Sequence, residues 1–475
     1  MKTYRWLMVL MMLAGCSSSP DLSELYNSSQ WRLLEQGQEE EAFMQAPVIV
    51  IPGIVSSTLV DEQGKEVWFG PWYISLFSNF EHLALEIDEQ TLEPKPSPIK
   101  AGVLPDKALI FDFYGSLFDV LEQYGQYQYR EIGTPYRQKE RRYYKFPYDW
   151  RYDTIDAVKA LDEFIEEVRK DYGQPDLKVD LISHSMGGLL ARYYMRYGNV
   201  DVLDQNDFPV TQAGAKKVRR LIQLGAPNLG SLAALHQLIN GYKVVIRTIP
   251  VEVLATMPSI YQLLPHPLNT WLVTADGKPL ERDLFDVNNW QRLEWGIFNP
   301  EVEERIKSGY PTVEEGEHQV ELLQRYFAKH IERARRFVWS LTVPVPDLEY
   351  SIIAFGGNCS PTPARMVVED IEGESYFRLW PKEVEHKVKG VNYEQIMLEP
   401  GDGRVTKPSM LARHYLNPTL PRHKYSFFPL DYAFFLCHNH GQLTGNINFQ
   451  DNLLNALLER ESTDFSKSEI ESLMH

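Results

Sequence analysis

Residues 179–190, Val-Asp-Leu-Ile-Ser-His-Ser-Met-Gly-Gly-Leu-Leu, constrain this chain more than any other stretch. Lys178 to Ile182 reads as a buried strand and Met186 to Tyr197 as a helix stopped by Gly198, with almost nothing between them. Parallel strands need a crossover, usually a helix, so a strand that turns straight into a helix is the building step of a parallel sheet. Comparable apolar runs recur. Pro47–Ile51 stops at Pro52-Gly53, Ala108–Phe111 suits an edge piece, and Arg141–Phe146, Val218–Leu224, Tyr350–Phe355 and Tyr432–Leu436 read as further strands. Ile155, Val158, Leu161, Phe164, Ile165 and Val168 recur at helical spacing after Asp153, a capping residue, which predicts a helix over 154–172; helical character returns over 450–459. The alternation predicts an α/β protein, a mostly parallel sheet with helices on both faces.

Two stretches break the rhythm. Residues 56–107 hold many aromatics and few clear strands, and 231–345 is mostly helical with scattered Pro and Trp; both read as insertions at one end of the sheet, a lid and a cap. Charged residues at 24% and hydrophobic ones at 44% exclude wholesale disorder. A net charge of −17 argues against nucleic acid as a partner, because phosphate binding draws on a basic surplus.

The first residues read as an address. Lys2 and Arg5 precede the apolar run Trp6–Leu13, which is too short to span a bilayer and suits a secretory signal ending at residue 15. Leu13-Ala14-Gly15-Cys16 resembles a lipobox, in which Cys16 becomes the acylated N-terminus, and Ser17 after it favours the outer membrane over the inner. Residues 16–45 then form a polar tether, 46–461 the folded domain and 462–475 a polar tail. Downstream of Cys16 only Cys359 and Cys437 remain, either bridged or as separate thiols. Two cysteines and scattered histidines show no ligand spacing, so neither a metal nor another cofactor is expected.

At the 182–186 junction small residues two before and two after Ser185 permit a strained turn that pushes its hydroxyl out, the arrangement of a nucleophile elbow. Gly187 fills the downstream place; Ser183 stands where the motif commonly has Gly. A serine needs a base and an orienting acid, which follow it in the chain in that class of site. Asp402, in the turn Pro400-Gly-Asp-Gly403, is the acid candidate, with Glu369, Asp370 and Asp431 as rivals lacking that setting. His440 is the base candidate and His438 its rival; His184 is read as structural, because neighbours on an elbow point apart. Backbone N–H groups of Met186 and Ile54 are the expected oxyanion donors. Trp68, Phe69 and Trp72 suit a membrane interface or the core under the lid; Met257–Pro265 suits an acyl tunnel or helix packing. The basic run Arg137–Lys145 meets either anionic headgroups or solvent along a strand edge.

Taken together, Pro52-Gly53, Phe146-Pro-Tyr-Asp-Trp-Arg151, Ser183-His-Ser-Met-Gly-Gly188, Leu224-Gly-Ala-Pro-Asn-Leu-Gly230, Gly401-Asp-Gly403 and His440 resemble the lecithin:cholesterol acyltransferase-like family, which includes phospholipid:diacylglycerol acyltransferases and lysosomal phospholipase A2. The resemblance implies an α/β-hydrolase fold with lid and cap, and attack by Ser185 on a membrane glycerolipid ester, the acyl chain passing to water or another alcohol. Arg404 departs from the Thr common in the family, and no cysteine is present to pin the lid.

Overall fold

The computed structural model describes residues 45–69, 79–106, 113–137, 140–205, 207–244, 246–344, 350–412 and 428–458. The expectations for the signal segment, Cys16, the tether, Trp72, the Ala108–Phe111 strand, Lys139 and the tail lie outside them. The chain divides into a unit of residues 44–445 and a second one of residues 1–43 with 446–475, of which the helix Ile447–Leu458 is described.

The larger unit is built on seven strands: β1 Val48–Ile51, β2 Tyr127–Tyr129, β3 Arg141–Lys145, β4 Val179–His184, β5 Val218–Leu224, β6 Ile352–Gly357 and β7 Leu430–Leu436. They lie in the order β7-β6-β5-β4-β1-β3-β2, and every pairing is parallel. Ile49 sits between Leu181 and Tyr144, in register with both. Both central strands are buried from end to end, which is why β1 and β4 read as unbroken apolar runs and not as alternating ones. The edge strand β2 does not announce itself in the sequence, because three residues carry too little periodicity.

The strand order places the site. From β1 the chain builds outward to β2 and β3, then returns across β1 to lay down β4 and continues the other way. The carboxyl ends of β1 and β4 therefore adjoin where the chain changes direction, and ligands of open α/β sheets bind in that crevice.

Helix α1 spans Phe113–Asp119, α2 Thr154–Tyr172, α3 Met186–Tyr197, α4 Leu232–Asn240 and α5 Val313–Ser340. Helix α2 starts where Asp153 accepts from the Ile155 amide at 2.8 Å and stops at Gly173, φ +63°, burying Ile155, Val158, Leu161, Ile165 and Val168 as the spacing requires. Helix α3 is buried on every side, so a surface-type amphipathic stripe is not what holds it.

The first insertion carries a small antiparallel sheet of Leu59–Val60, Glu66–Trp68 and Lys100–Ala101. The second is largely helical, and its strand Leu272–Thr274 joins Met366–Ile371 and Glu374–Arg378, so chain beyond β6 completes the cap. Met257, Ile260, Tyr261 and Leu264 are buried helix packing. Three residues of the basic run bond within the protein: Arg142 bonds Glu140 and two carbonyls, Arg141 the Gly125 carbonyl, and Lys145 pairs with Asp106 at 2.8 Å, while Arg137 is exposed.

The insertions are tied to each other along α5. Lys329 Nζ donates to the Thr91 carbonyl at 2.6 Å and His330 Nε2 to that of Leu92 at 3.0 Å. His330 is buried, packed on the Tyr326 ring at 4.0 Å, and its Nδ1 meets no partner among the described residues. Burial holds its pKa below the ordinary value; the Leu92 carbonyl, Glu93 and Asp153 oppose this, and Lys329 adds to it. The unfolded histidine, with a pKa of about 6.5, takes up a proton first, so this stability is full above that pH and is lost as pH falls toward the folded value. The melting midpoint is expected to drop more between about pH 7 and pH 5 in the native chain than in His330→Gln; parallel curves would contradict it.

β6 and β7 are also joined covalently: Cys359 and Cys437 form a disulfide, Cα atoms 4.9 Å apart, closing 78 residues of chain. It pins the turn bearing His440 beside the end of β6. Replacing both cysteines by serine is expected to cost ~2–4 kcal/mol of stability, read by denaturant unfolding, since a long loop then regains its freedom.

Candidate active site

β4 ends at His184, and Ser185 sits at φ +51°, ψ −122°, outside the regions a non-glycine residue normally adopts. Its amide donates to the Leu224 carbonyl at 2.9 Å, so β5 holds the turn. The turn also needs glycines: a Cβ on Gly187 would come within 2.8 Å of the Ile51 carbonyl, and one on Gly53 within 2.9 Å of the Ser185 Cβ. Such closeness puts the loop after β1 directly against the serine. Ser183 is tolerated in place of Gly because its hydroxyl finds the Ile222 carbonyl at 3.2 Å across the sheet.

Asp402 follows the short strand Leu398–Gly401, and Gly403 at φ +89° turns the chain back on itself. One carboxylate oxygen accepts from the amides of Arg404 (2.9 Å) and Val405 (2.8 Å). The other meets His440 Nδ1 at 2.7 Å, and the His440 amide donates to the Asp402 carbonyl at 2.9 Å. Asp402 is buried while the His440 side chain keeps 17% exposure, the distribution an orienting acid and a working base need. Arg in place of Thr at 404 leaves this bonding intact, because its backbone makes the contact.

Two of the rival carboxylates are bonded elsewhere and the third faces solvent. Glu369 pairs with Arg378 at 2.7 Å and accepts from the amides of Glu385 and His386, Asp370 accepts from Ser375, and Asp431 is exposed. His440, not His438, meets Asp402.

The serine turn and the His440–Asp402 pair converge on Gly225, the residue after β5. A Cβ there would lie 3.0 Å from His440 Nδ1 and 3.1 Å from Asp402 Oδ2. His184, next to the serine, packs its ring 4.9 Å from that of His440. The reading of His184 as pointing away is therefore corrected: it is structural, but it forms the wall behind the imidazole.

The Met186 amide is the first of α3 and has no intrahelical acceptor. The Ile54 amide donates to no group among the described residues. Gly53 is different, since its amide donates to the Tyr114 hydroxyl at 3.0 Å. Val55 takes φ +58°, costly for a β-branched residue, and its carbonyl accepts from Trp68 Nε1 at 2.9 Å. Trp68 is 1% exposed, edge-on to Trp150 and Phe80. The expectation that Trp68 contacts a membrane is thus corrected: its indole is buried and spends its N–H on the loop after β1. Phe69 is partly buried against the same core.

The Tyr148-Asp-Trp-Arg151 run explains the loop's shape from the other side. Tyr148 Oη donates to the Pro52 carbonyl at 2.9 Å, Trp150 Nε1 to that of Ser57 at 3.2 Å, and Arg151 grips Asp149 with two nitrogens while reaching the Ile99 carbonyl at 3.0 Å. In the Leu224–Gly230 run, Asn228 accepts from the buried Arg192 at 2.9 Å and donates to Gln223, which in turn donates to the Gly188 carbonyl. Sequence reasoning missed Tyr114 and the placement of His184, and gave Gly225 no role beyond its place in the Leu224–Gly230 run; only positions distant in the chain reveal them.

Residues 129–325 match the family model described as Lecithin:cholesterol acyltransferase, so the likeness drawn from the motifs is borne out over that segment. It takes in Ser185 and stops short of Asp402 and His440. Among solved structures, one described as the Tle4–Tli4 complex aligns with 87% of this chain and 98% of its own at 14% identity, with a TM-score of 0.55. The mature form of the Bacillus licheniformis lipase BlEst2 aligns with 88% of this chain and 94% of its own at 12% identity, with a TM-score of 0.31. No curated protein matches the sequence. At 14% identity the first of these likenesses speaks for fold alone, and together with the parallel seven-stranded sheet it makes the architecture an α/β-hydrolase fold with insertions.

Proposed function

We propose that this protein is a serine-dependent phospholipase A or O-acyltransferase acting on membrane glycerolipid esters through an acyl-enzyme. The observation that carries the reading is the His440–Asp402 pair, bonded at 2.7 Å and lying against the serine turn at the switch point of the sheet. The likeness of residues 129–325 to the lecithin:cholesterol acyltransferase family supports a lipid ester over other acyl substrates.

Chemically, Ser185 Oγ attacks the ester carbonyl carbon as its proton passes to His440 Nε2. Asp402 accepts the Nδ1–H bond and stabilises the imidazolium. Negative charge gathers on the carbonyl oxygen, where the amides of Met186 and Ile54 donate. Collapse breaks the ester C–O bond, the departing glycerolipid alcohol takes the proton from His440, and the acyl group remains on Ser185. Water or an acceptor alcohol attacks that ester in turn, giving its proton to His440. The products are a free fatty acid or a new ester, and Ser185 regains its hydrogen.

Location belongs to the same proposal. Acylation at Cys16 in the outer membrane would hold the folded unit close to lipid, several acyl chains anchoring far better than one. Among the described residues no helix is long and apolar enough to cross a membrane. The test is incubation of the native protein with phospholipid vesicles and an alcohol acceptor, followed by mass spectrometry of products. Ser185→Ala is expected to lower fatty-acid and ester release by at least about 10³-fold; equal release from both proteins would end the reading.

A further inference from the structure

Tyr114 bridges the loop after β1 and His184, and neither motif nor mechanism accounts for it. It stands on α1, buried to 2% exposure, and its hydroxyl oxygen accepts from the Gly53 amide at 3.0 Å. The same oxygen lies 2.9 Å from His184 Nδ1. Gly53 precedes the oxyanion donor Ile54, while His184 backs the His440 ring at a centroid distance of 4.9 Å. Burial and the His440 charge hold the His184 pKa well below its ordinary value, the His440 backbone opposing them, so His184 is neutral near pH 7. The Gly53 N–H donates to the phenol oxygen and the phenol hydrogen goes to the unprotonated Nδ1, while the Ser56 hydroxyl also bonds the phenol. Tyr114 is itself pushed up by burial and stays a phenol.

We infer that Tyr114 is a positioning residue of the acyl-transfer reaction, one hydroxyl fixing the distance between the oxyanion loop and the imidazole through Gly53 on one side and His184 on the other. The inference rests on the proposed Ser185 chemistry. It follows from geometry: the loop and the base belong to segments nearly 390 residues apart, and their spacing must hold within tenths of an ångström for an oxyanion and a proton transfer to be served together. Two hydrogen bonds to one oxygen set the distance from the loop to His184, and the ring contact between His184 and His440 carries it on to the base. The aromatic ring gives the oxygen a rigid seat, stacked on Phe118 at 6.2 Å and edge-on to His184 at 5.7 Å.

Tyr114→Phe keeps the ring and removes the oxygen. The rate of Ser185 modification by a fluorophosphonate and kcat for ester cleavage are both expected to fall about tenfold with KM unchanged, while the melting midpoint moves only a few degrees. A rate within twofold of the native protein overturns the inference, as does a loss of kcat that comes with raised KM and a large fall in melting point, the pattern of a merely structural role. If the native protein itself does not react, the proposed function fails along with this inference; if it reacts and Tyr114→Phe reacts as fast, only this inference fails. Should Tyr114→Phe not fold, His184 carries the test from the other end. His184→Gln retains a polar group for the Tyr114 hydroxyl and is expected to keep activity within fivefold, whereas His184→Leu loses at least tenfold; equal activity of the two overturns the inference.

Discussion

Asp402→Asn is expected to lower kcat by about four orders of magnitude while the protein folds and melts almost as before. The amide oxygen of asparagine can still accept from the Arg404 and Val405 amides, which shape the turn at 2.9 and 2.8 Å. The change falls on the other arm. There the carboxylate accepts from His440 Nδ1 at 2.7 Å, and an amide NH₂ placed at that point would donate instead. His440 would then carry its proton on Nε2, facing the serine with a donor where a base is required. Steady-state kinetics beside thermal unfolding checks this. A loss below about tenfold would mean that Asp402 is no orienting acid and that the pairing serves only the turn.

Gly225→Ala is expected to cost at least about a hundredfold in kcat, by a steric route. At φ +58° an alanine is strained by ~1–2 kcal/mol wherever it sits. Here the added methyl also lies 3.0 Å from His440 Nδ1 and 3.1 Å from Asp402 Oδ2, pressing on the bond between them. Either the pair separates or the loop after β5 retreats, taking with it the neighbouring carbonyl of Leu224 that holds the Ser185 amide at 2.9 Å. Gly64→Ala is the control. Gly64 has φ +77°, and a methyl group added there would meet nothing within 4 Å, so the variant should bear the backbone strain and leave activity untouched. Similar kinetic losses in both variants would place the effect in the backbone and not at the site.

Both expectations concern residues of different legibility. Asp402 stands out in the chain because an aspartate between two glycines is a recognisable turn, and the Ser185 elbow because strand, small residues and helix occupy a dozen consecutive positions. Such features are local: side-chain periodicity and turn chemistry are written within a few residues, so every strand of the seven-stranded sheet except β2, helix α2 and the serine turn could be read from their own neighbourhoods. Gly225 enters the sequence only as one position of the Leu224–Gly230 run, with no role attached to it, and Tyr114 is an ordinary tyrosine. Their significance depends on which strand ends the crossovers bring side by side, and a hydroxyl 70 residues from His184 leaves no periodic trace of that meeting. Trp68 shows the reverse error, since an aromatic cluster suits a membrane surface and a buried core equally well until its indole N–H is found on the Val55 carbonyl. Likewise Cys359 and Cys437 gave no pairing on their own; the parallel neighbours β6 and β7 bring them together. The chain alone thus determined its alternation of elements and its candidate nucleophile. The tertiary structure decided which distant groups surround that nucleophile, because contacts across tens to hundreds of residues are set by strand order and burial, which no short stretch of sequence encodes.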